Sequence, residues 1–286
     1  MTSPPPETDG DFLAPDGLRL AYRAWTPAAP RAALLVVHGL GEHGGRYAAL
    51  ARALSARGVA VFALDLRGHG RSGGARAYTP RFEQLVEDVE AFRRHVALKL
   101  PAPVPVFLLG HSLGGLVSIR WLQTHPEAPL AGAVLSSPLL GVAVKAPRWK
   151  VAMAGVLTRV LPKLPLSNEI DPAELSSDPA YVRSYREDPL VHTRITPRLY
   201  TELMAHIGHA FAERGRFGHP LLFLVSGADT VVQAGATHRF AEGLTGDVTV
   251  HRYDGFRHES LNEAGRARPI ADLTAWLEAR IGTASA

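Results

Sequence analysis

Runs of uninterrupted apolar residues, each followed by a helical pattern, constrain the fold of this chain more than any other feature. Such runs are typical of strands buried on both faces in a parallel sheet. Their alternation with amphipathic helices predicts an α/β fold with right-handed crossovers, that is, a mostly parallel sheet flanked by helices. The predicted strands are 32–37, 59–64, 105–109, 132–135, 220–225 and 248–253, and the predicted helices include 47–57, 82–100, 234–243 and 271–281.

This alternation stops between residues 139 and 217, which are rich in proline and contain no clear buried strand. Helical patterns at 148–161 and 198–213 predict that the stretch is a helical cap inserted into the α/β core. The core would then consist of residues 11–138 and 218–286. The length of the chain, 286 residues, is sufficient for one large domain with such an insertion.

The amino-terminal residues, 1–10, are predicted to be a disordered tail, followed by a hairpin that turns at Asp16-Gly17. The tail has neither the basic region nor the apolar region of a signal peptide. The longest apolar tract, 128–144, is interrupted by prolines, serines and a glycine, so it is too broken to span a membrane. We therefore expect a cytoplasmic protein.

Composition excludes several classes of site. The chain has no cysteine, which rules out a disulfide framework, a cysteine nucleophile and a thiolate metal site. The net charge of +4 comes from cations that are scattered among acids, without a polybasic run. Nucleic acid is therefore not an expected partner, whereas weak attraction to an anionic lipid surface is compatible with this charge. The oligomeric state is left undetermined.

The sequence Gly110-His111-Ser112-Leu113-Gly114 lies between a predicted strand and a predicted helix. In that context Gly-x-Ser-x-Gly predicts a sharp turn that lifts the serine onto an exposed elbow. The glycines are required because side chains there would collide with the neighbouring strand or helix. The amides at the start of the helix would point at the group under attack. We predict that Ser112 is a nucleophile.

An acid and a base follow the elbow in the chain order that such a site requires. Asp229 and His258 each lie on a loop directly after a predicted strand. Both loops belong to the carboxyl edge of the sheet, where the sites of open α/β sheets are found. We predict that His258 removes the proton of Ser112 and that Asp229 orients the imidazole. Asp254 is the alternative acid, although it is too near His258 in sequence to be positioned by a strand of its own.

A glycine-rich turn, 38–47, follows the first buried strand and can aim a backbone amide into the site. We predict that the amides of Leu40 and Leu113 form an oxyanion hole, which stabilises the charge of a tetrahedral intermediate. A turn that only caps a helix is the alternative. His38 and His43 have no carboxylate or thiolate set beside them at ligand spacing, so a metal site is not expected.

The loop after strand 59–64 offers another acid and base, Asp65 and His69. Turns of aspartate and glycine are frequent in such loops, so we favour a hydrogen-bonded loop that shapes the floor of the site. A second catalytic pair is the alternative interpretation.

Taken together, these motifs resemble the monoacylglycerol lipase and lysophospholipase group of the α/β-hydrolases. The resemblance extends from about residue 11 to the last helix. It is carried by residues 38–43, 46–47, 65–72, 110–115, 188–191 and 227–229.

The resemblance implies hydrolysis of monoacylglycerol-like or lysolipid esters by a triad of Ser112, Asp229 and His258. It implies Leu40 and Leu113 as oxyanion donors, and neither a metal nor a cofactor. Some members of the group carry a second histidine three residues after the catalytic one. This chain has Leu261 there, so their glycerol contacts do not all carry over.

The first predicted helix of the cap has an apolar stripe with cations around it. The favoured interpretation is a lid that packs on the core, since most such stripes are core. The alternative is docking on a membrane or lipid-droplet surface, with admission of an acyl chain. The stripe consists of Trp149, Met153, Val156, Leu157, Val160 and Leu161, and the cations are Lys145, Arg148, Lys150, Arg159 and Lys163.

The sequence therefore predicts a carboxylic-ester hydrolase that acts on a lipid ester through an acyl-Ser112 intermediate. The same triad could serve a thioesterase, a carbon–carbon hydrolase or an aminopeptidase, because a fold does not determine its substrate. A non-catalytic ligand receptor on the same scaffold is a third hypothesis, and the complete triad argues against it. Acyl-chain length, head-group preference and motion of the cap are not determined.

Overall fold

The computed structural model describes residues 5–143, 148–215 and 217–282, and for residues 148–152 the backbone alone. The strands are β1 (Thr8–Leu13), β2 (Arg19–Trp25), β3 (Ala32–Val37), β4 (Val59–Leu64), β5 (Val106–His111), β6 (Gly132–Ser136), β7 (Leu166–Ser167), β8 (Arg194–Ile195), β9 (Leu221–Ser226) and β10 (Val248–Tyr253). The helices are α1 (Ala48–Ser55), α2 (Glu83–Lys99), α3 (Leu113–Thr124), α4 (Arg148–Val160), α5 (Pro172–Leu175), α6 (Pro179–Glu187), α7 (Pro197–Ala212), α8 (Ala234–Glu242) and α9 (Ala267–Ile281).

An eight-stranded sheet forms the centre of the core, in the order β1-β2-β4-β3-β5-β6-β9-β10. Strand β2 pairs antiparallel with β1 and β4, and all other neighbours pair in parallel. Helices cover both faces, and most of the apolar runs are buried on both sides: alternate residues of β3 enter two separate hydrophobic clusters, whereas the edge strand β10 is partly exposed. The α/β fold predicted from these runs is confirmed.

Most predicted boundaries agree with the structure, and two differ for identifiable reasons. Helix α9 begins at Ala267, four residues before its predicted start, because Pro269 is tolerated in a first turn. Strand β1 begins at Thr8, inside the stretch predicted to be a disordered tail. Its polar composition suggested disorder, but Thr8 to Leu13 pair with residues 19–24 across the Asp16-Gly17 turn. The predicted tail of residues 1–10 was therefore too long.

The chain between β6 and β9 contains four helices, α4 to α7, and the two-stranded sheet β7-β8 among its described residues. Helix α7 is held on the core: Thr196 Oγ1 donates to the carbonyl oxygen of Ala77 at 2.7 Å, and Gln123 Nε2 donates to that of Ala210 at 2.9 Å. Helix α4 packs on α7, where Thr158 Oγ1 donates to the carbonyl oxygen of Pro197 at 3.0 Å. We call residues 139–217 the cap segment.

Most of the described side chains of the apolar stripe on α4 are exposed. Val156 and Val160 are 61% and 68% exposed, so the favoured interpretation of the stripe as a covered lid was wrong for these residues. The sequence of a helix shows which side chains form its apolar face. It does not show whether other residues cover that face. Met153 and Leu161 are exposed and Leu157 is half-buried, whereas the side chain of Trp149 lies outside the described part. In the described residues, no helix is both long and apolar enough to cross a membrane.

Candidate active site

Ser112 lies at the sharp turn between β5 and α3. Its backbone has φ 50° and ψ −116°, a conformation that residues with a side chain rarely adopt and that costs about 1–3 kcal/mol. Tight packing imposes it, because a Cβ on Gly114 would overlap the carbonyl oxygen of Val37. Backbone hydrogen bonds hold the turn from both sides: Ser112 N donates to Ser136 O at 3.1 Å, and Leu139 N donates to Ser112 O at 2.9 Å. The sequence therefore forms the predicted elbow.

His258 and Asp229 are in contact at the carboxyl edge of the sheet. His258 Nδ1 lies 2.7 Å from Asp229 Oδ2, and both side chains are almost fully buried. The other carboxylate oxygen accepts the amides of Val231 and Val232, both at 2.9 Å, so Asp229 cannot turn away from the ring. Because a carboxylate only accepts, Nδ1 carries the proton and Nε2 keeps a lone pair.

The alternative acid, Asp254, is placed differently. Its side chain is 84% exposed and pairs with Arg252 at 2.7 Å. The side chain of Asp229 is only 1% exposed. The geometry thus favours Asp229 as the partner of His258.

Three segments meet at the elbow. A Cβ on Gly39, in the turn after β3, would lie 3.2 Å from Ser112 Cβ. The ring of His111, the residue before the serine, lies 4.8 Å from the ring of His258, measured between centroids. The loops after β3, β5 and β10 are therefore brought together, as their positions at one sheet edge predict.

The amides of Leu40 and Leu113 are available at this junction. Neither donates any of the hydrogen bonds found within the described residues. Gly41, with φ 83°, allows the loop after β3 to lie close to the cap segment. A side chain at this position would overlap the carbonyl oxygen of His192. Fixed amides without an acceptor beside a nucleophile are suited to receive an oxyanion.

Opposing effects act on the protonation of His258. Burial alone would lower its pKa, but the charge of Asp229 and the hydrogen bond to it act in the other direction and prevail. The carboxyl groups of Glu259 and Glu42 add to that effect, and the pKa of His258 lies above its ordinary value. An imidazole of this kind accepts a proton readily and holds it well.

The two glutamates form a network that sequence analysis did not predict. Glu42 Oε1 accepts the amide of Gly39 at 2.6 Å and the hydroxyl of Tyr47 at 3.0 Å. Glu259 Oε2 accepts the hydroxyl of Tyr181, which comes from the cap segment. Burial, and then the charge of Glu259, raise the pKa of Glu42 to about 8. In the sequence Glu42 lies within the glycine-rich turn 38–47 and Glu259 directly follows His258, but these positions do not specify the contacts that the two side chains make.

The loop after β4 supports the site without entering it. Asp65 Oδ1 accepts the amide of Gly44 at 2.7 Å, and Oδ2 accepts the amide of Arg71 at 2.8 Å. His69 donates from Nδ1 to the carbonyl oxygen of Arg67 at 3.0 Å. Both Asp65 and His69 are buried. This arrangement is the hydrogen-bonded loop that we favoured, with no contact between the two side chains among those described.

A second histidine–aspartate pair, also unexpected, joins the core to the cap segment. His43 Nε2 lies 2.8 Å from Asp188 Oδ2. Arg46 stacks on Tyr181 and Tyr185 beside this pair, with its guanidinium carbon 4.3 and 4.7 Å from the ring centroids. The residues of the pair are 145 positions apart, so no spacing in the sequence indicated that they meet.

The structure combines a mostly parallel sheet, a strained Gly-x-Ser-x-Gly elbow and a buried histidine–aspartate pair beside that elbow. These features define an α/β-hydrolase. The strands after the elbow supply Asp229 and His258 in the expected chain order.

Comparisons with known proteins specify the family. The model of the family described as serine aminopeptidase, S33 matches residues 28–265, and the chain belongs to that family. A monoacylglycerol lipase of Mycolicibacterium smegmatis is 31% identical over 273 residues, which are 94% of this chain and 96% of the relative. The solved monoacylglycerol lipase of Paleococcus ferrophilus is 35% identical, with a TM-score of 0.82, and the match covers 92% of this chain and 99% of that one.

A third relative, an abhydrolase domain-containing protein of Dictyostelium discoideum, is 31% identical over 96% of this chain, which spans 29% of that protein's length. Within the α/β-hydrolases the chain falls in the monoacylglycerol lipase group, and the protein is a carboxylic-ester hydrolase.

Proposed function

We propose that this protein hydrolyses monoacylglycerols, or lysophospholipids of similar shape, through an acyl-Ser112 intermediate. The observation that carries the proposal is the buried contact of 2.7 Å between His258 Nδ1 and Asp229 Oδ2 beside the strained Ser112. The monoacylglycerol lipases that the chain resembles support the choice of substrate.

In the proposed mechanism, His258 Nε2 takes the proton of Ser112 Oγ as that oxygen attacks the ester carbonyl. Asp229 keeps the imidazole in the required tautomer and stabilises the imidazolium. When the tetrahedral intermediate collapses, Nε2 protonates the departing alcohol. Water then attacks the acyl-serine, with the same histidine as base, and the fatty acid leaves while the serine regains its proton.

The amides of Leu40 and Leu113 would hold the negative oxygen of both tetrahedral intermediates. This charge is absent from the bound ester, so the two bonds lower the barrier rather than merely tightening binding. Removing one oxyanion donor typically costs about 3–4 kcal/mol of transition-state stabilisation. Both donors are backbone amides, which a side-chain substitution does not remove. The mechanism is therefore tested by mutating the triad.

The test of the nucleophile is the Ser112→Ala variant, with Ser184→Ala as a matched control on the exposed face of α6. We expect Ser112→Ala to lose turnover of a monoacylglycerol and labelling by a fluorescent phosphonate, and Ser184→Ala to keep both. Labelling that persists in Ser112→Ala would contradict the assignment. A panel of ester, thioester and aminoacyl-amide substrates distinguishes the other reactions that the same triad could perform.

The cap segment supports a further part of the proposal, peripheral contact with a lipid surface. Leu164 and Leu166, which follow α4 in the chain, are exposed like the apolar side chains of that helix, and we call these residues together the apolar patch. Exposed Arg159 and Lys163 flank this patch. Apolar side chains with adjacent cations are typical of segments that lie in a membrane interface.

Surface contact is tested with the double variant Val156→Ser/Val160→Ser. Leu98→Ser is the control, because Leu98 is 87% exposed on α2 and remote in sequence from the cap segment. We expect the double variant to lose activity on emulsified monoacylglycerol while it keeps activity on a soluble short-chain ester. Equal losses on both substrates would contradict surface docking but would leave the ester-hydrolase proposal intact.

A further inference from the structure

A cluster of side chains far in sequence from the triad has the composition of a metal site. Glu83, Glu202 and His206 each offer one ligand atom, and these atoms lie within 4.8 Å of one another. Glu83 is the first residue of core helix α2, and the other two belong to α7 of the cap segment. The cluster therefore lies where the cap segment meets the core.

Helix geometry explains how α7 presents two of the groups together. Glu202 and His206 are four residues apart, which places them on one face of the helix. The ring of His206 stacks on Phe82 with 4.1 Å between centroids, which fixes the imidazole plane. Glu202 Oε2 accepts the amide of Phe82 at 2.8 Å. Two of the three groups are thus already held in position.

The imidazole of His206 lacks a good hydrogen-bond partner. The residue is 94% buried, being only 6% exposed. Its Nδ1 has no partner among the described residues, and its Nε2 lies 3.5 Å from Glu83 Oε1, at the limit of a hydrogen bond. Nε2 is the nitrogen that faces the carboxylates, and its long contact with Glu83 satisfies it poorly, so a shorter bond to an ion would satisfy this buried group better.

We propose that Glu83, Glu202 and His206 bind a Zn²⁺ ion that links the cap segment to the core. One imidazole nitrogen and two carboxylate oxygens form a donor set that zinc accepts, with water in the remaining position. Magnesium and calcium prefer oxygen alone. For bonds near 2.1 Å the ligand atoms of a tetrahedral ion lie about 3.4 Å apart, so the cluster has to contract. The side chain of Glu83, which is 54% exposed, is free to move inward.

The experiment uses the full chain, treated with a chelator and then titrated with ZnCl₂ in a calorimeter. A heat-stability scan of the same samples gives the second readout. We expect one tight site, and a rise of about 4–5 °C in Tm when free zinc is 100 times its Kd. Zinc that binds the unfolded chain would reduce this rise.

Variants locate the ion. His206→Asn, Glu202→Gln and Glu83→Gln should each lose the tight site and the rise in Tm. His209→Asn is the matched control, since it removes an exposed histidine one turn further along α7 and should keep both. Glu83 is exposed, so its variant should fold with the Tm of the metal-free parent. A zinc effect that survives in Glu83→Gln and His206→Asn, or no effect in the parent, would overturn the proposal.

Discussion

Among the described residues, two histidine–aspartate pairs have nearly equal contact distances and equally buried histidines, but their hydrogen bonds and surrounding charges differ. His258 faces Asp229 at 2.7 Å, and His43 faces Asp188 at 2.8 Å. The pKa of His258 is raised, whereas that of His43 is lowered. A short contact with a carboxylate therefore does not by itself identify a general base.

The first difference is which nitrogen touches the carboxylate. In His258 it is Nδ1, which leaves the lone pair of Nε2 free. In His43 it is Nε2, while Nδ1 accepts the amide of Gly45 at 3.1 Å and lies 3.3 Å from Arg23 Nη1. Both nitrogens of His43 are engaged, so this ring has no lone pair with which to take a proton from a substrate.

The second difference is the charge around each ring. Burial lowers the pKa of His43, and the adjacent guanidinium of Arg23 lowers it further, against the effect of Asp188. The carboxyl groups of Glu259 and Glu42 act on His258 in the opposite sense. The acid partners differ too, because Asp229 is 1% exposed and Asp188 is 21% exposed. We therefore expect the imidazole of His258 to gain a proton during the reaction and the imidazole of His43 to remain neutral.

The largest effect that distinguishes the pairs is expected from replacing the two aspartates. Asp229→Asn should lower kcat by about 10⁴, because an amide can hold the imidazole in the wrong tautomer. Asp188→Asn should cost less than about tenfold, since His43 has no free lone pair to lose. Steady-state kinetics on one soluble ester measures both. Comparable losses would mean that His43 takes part in the chemistry.

A smaller effect is expected in the pH profile. Protonated His258 cannot act as a base, so kcat/KM should fall as pH decreases through a value above the ordinary pKa of 6.5. Glu259→Gln removes a negative charge that favours protonation, and the midpoint should move to lower pH.

Glu42→Gln is the companion variant for that shift. The charge of Glu42 also raises the pKa of His258, but less than that of Glu259, so this replacement should move the midpoint in the same direction by a smaller amount. The pKa of Glu42 is itself raised to about 8, so its larger effect should appear in stability. A raised carboxyl pKa makes the folded state lose stability as pH rises from about 4.5 to 8, by at most about 1.4 kcal/mol per unit. Glu42→Gln should reduce this loss, as measured by urea unfolding at several pH values.

The smallest effect concerns the cation beside the second pair. Arg23→Gln should raise the pKa of His43, because a positive charge at close range is removed. Imidazole NMR titration measures the change, and kcat/KM of the same variant should retain its midpoint. A shift of the kinetic midpoint would show that the two pairs are coupled.

Much of the first pair could be predicted from the sequence. Apolar runs located the strands, and the loops after β9 and β10 placed Asp229 and His258 at one edge. The elbow at Ser112 followed from its glycines and its position between strand and helix. These inferences succeeded because the parallel sheet brings the carboxyl ends of its strands together whatever the intervening chain does.

The second pair and the glutamate network could not be predicted. Asp188 reaches His43 because the cap segment folds back over the loop after β3, and no periodic pattern specifies that return. The exposed face of α4 was misjudged for a related reason. Periodicity reports which side chains share a face, whereas exposure depends on neighbours that are distant in sequence.

The strained backbone of Ser112 affects which residue at this position gives the most stable protein. At φ 50° and ψ −116° the backbone of a glycine would be less strained than that of any residue with a side chain. Ser112→Gly should therefore melt at or above the temperature of the parent, although glycine also adds entropy to the unfolded chain. Selection for stability alone would therefore favour glycine at this position, and the protein would lose the hydroxyl of Ser112. In the proposed mechanism this serine supplies the nucleophile, so hydrolysis and stability make opposite demands on the same residue.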